Sequence, residues 1–335
     1  MADQSTEEDQ SGAPERRKRG EFVCGVSGFR HAIGDADFPA EPGRYHLFVA
    51  LNCPWCHRVT LARAVLGLER SISLDVAFPN RTGDSDPAGA GLWEFAPKRI
   101  ATLTGGALPE CTEETATGRG LRLAIDIYQA EGSQEKSLPI LYDKKSKRIV
   151  SNESAEILRM LDAHSGALGG EGPNMLRPPE LTGEIDDLNA LTYTAINNGA
   201  YKAGFSSDQK VYASAYAAYF EALGDIEARL SDGRAFLTSA RFTEADLRLF
   251  PTLYRHDPVY YVRMKLNGAR ILYYPHLWRW LCRVYALPGV AEAGSLLHCR
   301  QGYFGRSWNG TVPLGPFAPM PYPKAYRHPE LAAVT

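Results

Sequence analysis

Apolar and polar positions give the two halves of the chain different rhythms. Tyr45 to Val49 (YHLFV) is a run of strand formers, and beyond Cys53 the apolar residues recur at Val59, Ala62 and Leu66, the spacing of one helix face. Ile72 to Phe78 alternates apolar residues with Ser73 and Asp75, as a second strand does. Together these predict strand, helix, strand, the start of a parallel pair with a right-handed crossover. Asn80 to Gly91 is loop by composition, and Trp93 to Glu131 carries little pattern beyond a helix at Leu121 to Ala130. Leu138 to Asp143 then reads as a short strand led by Pro139, where no ladder donor is required. A turn over Lys144 to Lys147 follows, then a strand at Arg148 to Ser151, then a helix with Ile157, Leu158 and Leu161 on its apolar face.

Gly166 to Pro179 (GALGGEGPNMLRPP) has the glycine and proline density of a linker, and beyond it the period is helical. Leu188 to Asn198, Ser207 to Ser231, Thr243 to Leu253 and Trp278 to Tyr285 all show it. Thr243-Glu244-Ala245-Asp246 is a capping box variant, with Phe242 and Leu247 placed as a hydrophobic staple. No internal repeat or heptad run is visible.

A length of 335 residues makes two domains the default. A formal charge of -2 gives no reason to expect nucleic acid or a membrane surface as partner, and no stretch approaches the apolar length of a bilayer span. The first 20 residues are polar, acidic and then basic, without the apolar core of a signal peptide, and read as a disordered tail. The six cysteines (Cys24, Cys53, Cys56, Cys111, Cys282 and Cys299) form no disulfide framework, which fits a reducing, cytoplasmic compartment.

Only Cys53 and Cys56 have a spacing that suggests chemistry. Cys53-Pro54-Trp55-Cys56 falls where the first strand turns into its helix, and there unpartnered amides and the aligned peptide dipoles stabilise a thiolate. An ordinary thiol has a pKa of about 8.5, whereas cysteines at helix N-termini or in such turns fall to roughly 3.5 to 7.5. Pro54 suits the first helical position, and His57 and Arg58 offer positive charge in the first turn. A zinc half-site needs about two more ligands, and no second Cys or His pair is spaced to supply them. The residues therefore point to a thioredoxin-like redox or glutathione site, with an inert buried pair as the bland reading. Ser151-Asn152-Glu153-Ser154 offers caps and free amides that suit a carboxylate, although plain helix capping is the commoner reading of such residues taken alone.

An active-site cysteine, a proline-led strand, a Glu-Ser helix start and a helical second half together resemble the glutathione transferase superfamily. The segments YHLFVALNCPWCHR, LPILYDKKSKRIVSNESAEILRML, INNGAYKAGF, TEADLRLFPTL, RHDPVYYVRMKLN and YPHLWRWLCRVYALPGVAE are similar to the glutathionyl-hydroquinone reductases, the xi-class transferases, from about residue 21 to 316. The resemblance implies an α/β thioredoxin-like glutathione-binding domain over 21–165, a linker over 166–180, an all-α substrate domain over 181–316 and a tail over 317–335. It implies Cys53 as nucleophile and Trp93 covering glutathione. The backbone of Leu138, before a cis Pro139, would pair with the cysteinyl part, and Glu153 with Ser154 would hold the γ-glutamyl end. Tyr201, Tyr260 and Tyr303 match the substrate pocket, although pattern alone would make each a packing residue. The family usually has a small residue such as alanine where this chain has Cys56, so Cys56 reads either as a resolving thiol or as a small packing residue.

The function implied is a glutathione-dependent reductase that strips glutathione from glutathionyl-hydroquinones, with glutathione as co-substrate, no metal, and a homodimer as the working form. Two other readings stay open: an omega-like or glutaredoxin-like thioltransferase or dehydroascorbate reductase, which Cys56 favours, and a non-enzymatic interaction module of the same fold.

Overall fold

The computed structural model describes residues 27–81, 91–106, 116–171, 175–305 and 311–313. The tails expected over 1–20 and 317–335 lie outside the described residues, as do Cys24 and Cys111.

Strand β1 (Tyr45–Val49) is buried at all five positions because it has a neighbour on each side. β2 (Ser73–Val76) pairs with it in parallel, His46 opposite Ser73, and β3 (Ile140–Asp143) pairs antiparallel, Phe48 opposite Ile140. β4 (Arg148–Ser151) adds to β3, giving a mixed sheet in the order β2-β1-β3-β4. Helix α1 (Pro54–Val65) joins β1 to β2, as the pattern predicts. It ends where Gly67, at φ +66°, lets the Leu68 amide turn back to the Arg63 carbonyl at 2.8 Å. Two short helices, α2 (Pro97–Thr104) and α3 (Ala124–Gln129), lie between β2 and β3, and α4 (Ser154–Ala163) follows β4 and packs on α1.

From Thr182 onward the chain is helical. α5 (Thr182–Thr192) starts ahead of the expected Leu188, since its buried positions Ile185, Leu188, Asn189 and Thr192 have helical spacing but mix apolar with polar side chains. It gives way to a π-helical turn at Tyr193–Asn197, in which the Asn198 amide reaches the Tyr193 carbonyl at 2.8 Å, and this runs into α6 (Gly199–Phe205). α7 (Gln209–Leu230) and α8 (Glu244–Arg255) follow. A second π turn, His256–Tyr260, leads from α8 into the single turn α9 (Tyr261–Arg263), and α10 (Pro275–Tyr285) and α11 (Leu296–Phe304) complete the set.

The capping box at α8 is formed and does more than cap. The Thr243 amide donates to Asp246 Oδ2 at 3.0 Å, while Asp246 Oδ1 accepts from Trp280 Nε1 of α10 at 2.7 Å and from the Leu237 amide at 2.8 Å. Next to it the buried Glu244 carboxylate accepts from Arg159 of α4 at 3.0 and 2.9 Å, Asn189 of α5 at 3.1 Å and Arg248 of α8 at 3.1 Å. A buried carboxylate is tolerated only when paired and hydrogen-bonded, and this one ties the sheet half to the helical half.

Candidate active site

The sheet register gathers three expected site segments at one end. Cys53 follows the end of β1, Leu138 and Pro139 precede the start of β3, and Glu153 follows the end of β4. The pairs Phe48 with Ile140 and Leu141 with Ser151 bring these ends level. Cys53 is the N-cap residue of α1, with extended backbone (φ -81°, ψ 125°) and a partly exposed side chain. Its Sγ lies 3.9 Å from the Leu138 carbonyl, and the Leu138–Pro139 peptide is cis.

Several groups hold charge on this sulfur. The neighbouring Cys56 thiol first, then the Cys56 amide, the Arg255 guanidinium and the Trp55 amide, pull the Cys53 thiol down to about 7 against the opposing push of burial. Cys56 is fully buried, and desolvation together with its bond to Cys53 pushes it well above the ordinary thiol range. A thiol at about 7 is half ionised at neutral pH.

Neither His57 nor Arg58 directs the expected positive charge at Cys53. Burial drives His57 well below its ordinary value, so the ring is neutral and accepts from Arg255 Nη1 at 2.9 Å through Nδ1. Arg58 is buried too and drawn down to about 9; it lies 4.4 Å from the Trp55 ring centroid and donates to Asn197 Oδ1 at 3.0 Å, facing the helical half. The charge near Cys53 comes instead from Arg255, at the end of α8 and fully buried. Its guanidinium donates to the carbonyls of Leu51 at 2.9 Å, Asn52 at 3.2 Å and Cys53 at 3.4 Å, the turn that carries the thiol. No local motif marks Arg255, because its partners lie about 200 residues earlier in the chain.

Glu153 is the N-cap of α4, its Oε1 accepting from the Ala155 amide at 3.0 Å, and Ser154 is the buried first residue of that helix. Ser27 Oγ donates to Glu153 Oε2 at 3.3 Å, so the segment before β1 reaches this helix start. Trp93 is only 5% exposed, with the Arg81 guanidinium 4.4 Å from its ring centroid and its carbonyl accepting from Ala124 at 3.0 Å.

The three tyrosines meet at their hydroxyls. Tyr201 to Tyr260 is 3.4 Å, Tyr260 to Tyr303 is 3.3 Å, and Tyr201 and Tyr303 are in close contact. Tyr260 is fully buried within this group, whereas its neighbour Tyr261 is partly exposed. Burial raises all three phenols, Tyr201 and Tyr303 well above the usual value, so each keeps its proton. Trp55 connects the cluster to the cysteine turn, stacking on Tyr201 at 6.3 Å between centroids and 27° between planes. Gly302 seats α11 against that turn, since a Cβ there would lie 2.2 Å from Asn52 Nδ2. Among the described residues no group of three His, Cys, Asp or Glu side chains could hold a metal ion, and no helix is long and apolar enough to cross a membrane.

The chain matches known proteins over most of its length. The family models "Glutathione S-transferase, N-terminal domain" and "Glutathione S-transferase, C-terminal domain" match residues 52–164 and 209–283. The chain is 36% identical over 311 residues to the glutathionyl-hydroquinone reductase PcpF of Sphingobium chlorophenolicum, covering 90% of this chain and 92% of that one. It is 36% identical over 319 residues to glutathionyl-hydroquinone reductase YqjG of Escherichia coli K12, covering 91% and 92%. The glutathione-bound structure of YqjG superposes with a TM-score of 0.77 over 88% of this chain and 94% of that one, at 36% identity. The xi transferase of Phanerochaete chrysosporium gives 0.78 over 88% and 97%, at 33% identity.

Proposed function

The chain belongs to the glutathione S-transferase family, in its xi-class branch of glutathionyl-hydroquinone reductases, and from that premise we propose that it removes glutathione from glutathionyl-hydroquinones through a Cys53–glutathione mixed disulfide. The observation that carries this reading is a partly exposed Cys53 sulfur at a helix N-terminus, drawn to about 7, with three protonated tyrosine hydroxyls reached through Trp55.

Glutathione is the co-substrate. Glu153 and Ser154, at the start of α4, receive its γ-glutamyl end, the Leu138 backbone before Pro139 pairs with its cysteinyl part, and Trp93 borders the site. The ring carbon that bears sulfur takes up a proton as the keto tautomer forms, the Cys53 thiolate attacks the sulfur, and the carbon–sulfur bond breaks with its electron pair returning to the ring, which leaves as hydroquinone. Tyr201, Tyr260 and Tyr303 hold the ring oxygens and favour the keto tautomer, in which that bond is easier to cut. Keeping their own protons, they act as hydrogen-bond donors to oxygen. A second glutathione attacks the mixed disulfide, restoring Cys53 and yielding oxidised glutathione.

The sheet half over 21–165 is the glutathione domain in this reading and the helical half over 181–316 the hydroquinone domain, with 166–180 as linker. The working form is a cytoplasmic homodimer, a reading that rests on family resemblance. The test is Cys53→Ser: turnover of a glutathionyl-hydroquinone should vanish while glutathione still binds by calorimetry, and a variant that keeps turning over sinks the assignment.

A further inference from the structure

Cys56 is a second sulfur at the site for which the one-thiol cycle has no use. It follows Cys53 by three residues at the start of α1, where the His57 amide already donates to the Cys53 carbonyl at 3.0 Å, so the turn is helical. Helical geometry sets Cα atoms at that spacing about 5 Å apart, inside the roughly 4.4 to 6.8 Å that a disulfide spans. Of the other described thiols, Cys299 lies against the same turn, donating to the Leu51 carbonyl at 3.5 Å, but burial pushes it up to about 11, and Cys282 sits on α10.

We propose that Cys56 is a resolving cysteine: a group carried on Cys53 as a mixed disulfide leaves through an internal Cys53–Cys56 disulfide, which glutathione then reduces. The inference rests on the reading of Cys53 as nucleophile. Cys53 thiolate attacks one sulfur of a disulfide RS–SR, forming a Cys53–S–SR bond and releasing the first RS⁻, which takes up a proton. Cys56 then attacks the Cys53 sulfur, its own proton goes to the second departing RS⁻, and the two cysteines have given up two electrons. Two glutathione molecules return the internal disulfide to two thiols and leave as oxidised glutathione. The same route serves the hydroquinone cycle, with glutathione in place of RS.

The state of Cys53 sets the order of these steps. While Cys53 is a thiolate, Cys56 is its donor, and burial, that bond and the negative charge of Cys53 all hold the Cys56 proton in place. When Cys53 carries a thiol group instead, its charge is gone and so is the bond to an anion. The Ala50 backbone contact and the Arg255 guanidinium, which favour an ionised Cys56, remain. Cys56 therefore ionises more readily in the state in which it has to attack, and stays quiet while Cys53 performs the first step.

The test is a single turnover without glutathione. Full-length protein is mixed with excess bis(2-hydroxyethyl) disulfide, released thiol is counted, and quenched peptides are weighed. Wild type should release about two equivalents of mercaptoethanol per chain and end about 2 Da lighter, with Cys53 joined to Cys56. Cys56→Ala and Cys56→Ser should each release about one equivalent and keep a mixed disulfide on Cys53. A wild type that releases one equivalent, keeps the adduct on Cys53 and leaves Cys56 open to alkylation overturns the resolving role alone. Release of none, with Cys53 unmodified, overturns the nucleophile reading and this inference with it.

Discussion

Replacing Arg255 by Met should loosen the protein and weaken the Cys53 thiolate together. Met keeps much of the volume and removes the charge and every donor. The wild-type guanidinium donates to the carbonyls of Leu51, Asn52, Cys53 and Pro251 and to His57 Nδ1, yet not all of these become orphans. Leu51 keeps the Cys299 thiol at 3.5 Å, Cys53 keeps the His57 amide at 3.0 Å, and the Pro251 carbonyl belongs to the backbone ladder of α8. The Asn52 carbonyl and the His57 ring lose the one donor described for them. Two buried acceptors without donors cost about 1–3 kcal/mol each. Against this stands relief from burying a cation that no described carboxylate pairs with, a penalty of several kcal/mol in the wild type. The net loss should fall near the lower end, ~2 kcal/mol. Without the guanidinium, Cys53 should climb from about 7 toward the ordinary thiol range. Urea unfolding measures the first effect, and the pH dependence of iodoacetamide alkylation at Cys53 the second. Arg255→Lys should recover much of the alkylation profile but little of the stability, because an ammonium restores the charge without the planar fork. An Arg255→Met protein within ~0.5 kcal/mol of wild type and with an unshifted profile would refute the assignment of Arg255 to the thiolate.

Three further outcomes follow from the same geometry. Because the folded protein holds Cys53 at about 7, below the ordinary thiol value, its contribution to stability is complete above about pH 8.5 and is lost as pH falls through 7. The stability difference between wild type and Cys53→Ser should therefore rise across that window, and a flat difference in calorimetric scans would show that the thiolate is not stabilised. Tyr303→Phe should lower kcat for a glutathionyl-hydroquinone by roughly 10²-fold with an unchanged melting temperature; steady-state kinetics matching wild type would remove the phenol from the reaction. Gly302→Ala should destabilise by ~1–3 kcal/mol, since the added methyl lies 2.2 Å from Asn52 Nδ2 and 2.9 Å from the Pro79 carbonyl, and thermal unfolding equal to wild type would mean that α11 shifts freely.

The parts of the fold legible in the sequence are those whose signals are local. The run Tyr45–Val49, the turn at Cys53 with Pro54, the β3–β4 hairpin and the box at Thr243 all declare themselves within a few residues. Helix α11 was not legible: nine residues with His298, Arg300 and Gln301 between apolar ones give no clean face, and α6 hides behind Gly199 and Gly204. At the site, the cysteine turn followed from spacing, whereas the tyrosines entered only through resemblance. Their hydroxyls converge from α6, the second π turn and α11, segments that no periodicity connects. The misplaced positive charge has the same cause. His57 and Arg58 are near Cys53 in sequence, and Arg255 is near it in space.

The two π turns place a constraint on how this chain can change length. One lies just before the helix that carries Tyr201, and the other ends on Tyr260. Each residue of a helix rotates the next side chain by about 100°, so inserting or deleting one residue between α5 and Tyr201, or between α8 and Tyr260, would swing a hydroxyl away from its two companions. A loop absorbs such a change, but these stretches are continuous helix with no loop to absorb it. The spacing from Asn189 to Tyr201 and from Glu244 to Tyr260 is thus fixed at both ends, by the buried carboxylate knot on one side and by the meeting point of the tyrosines on the other.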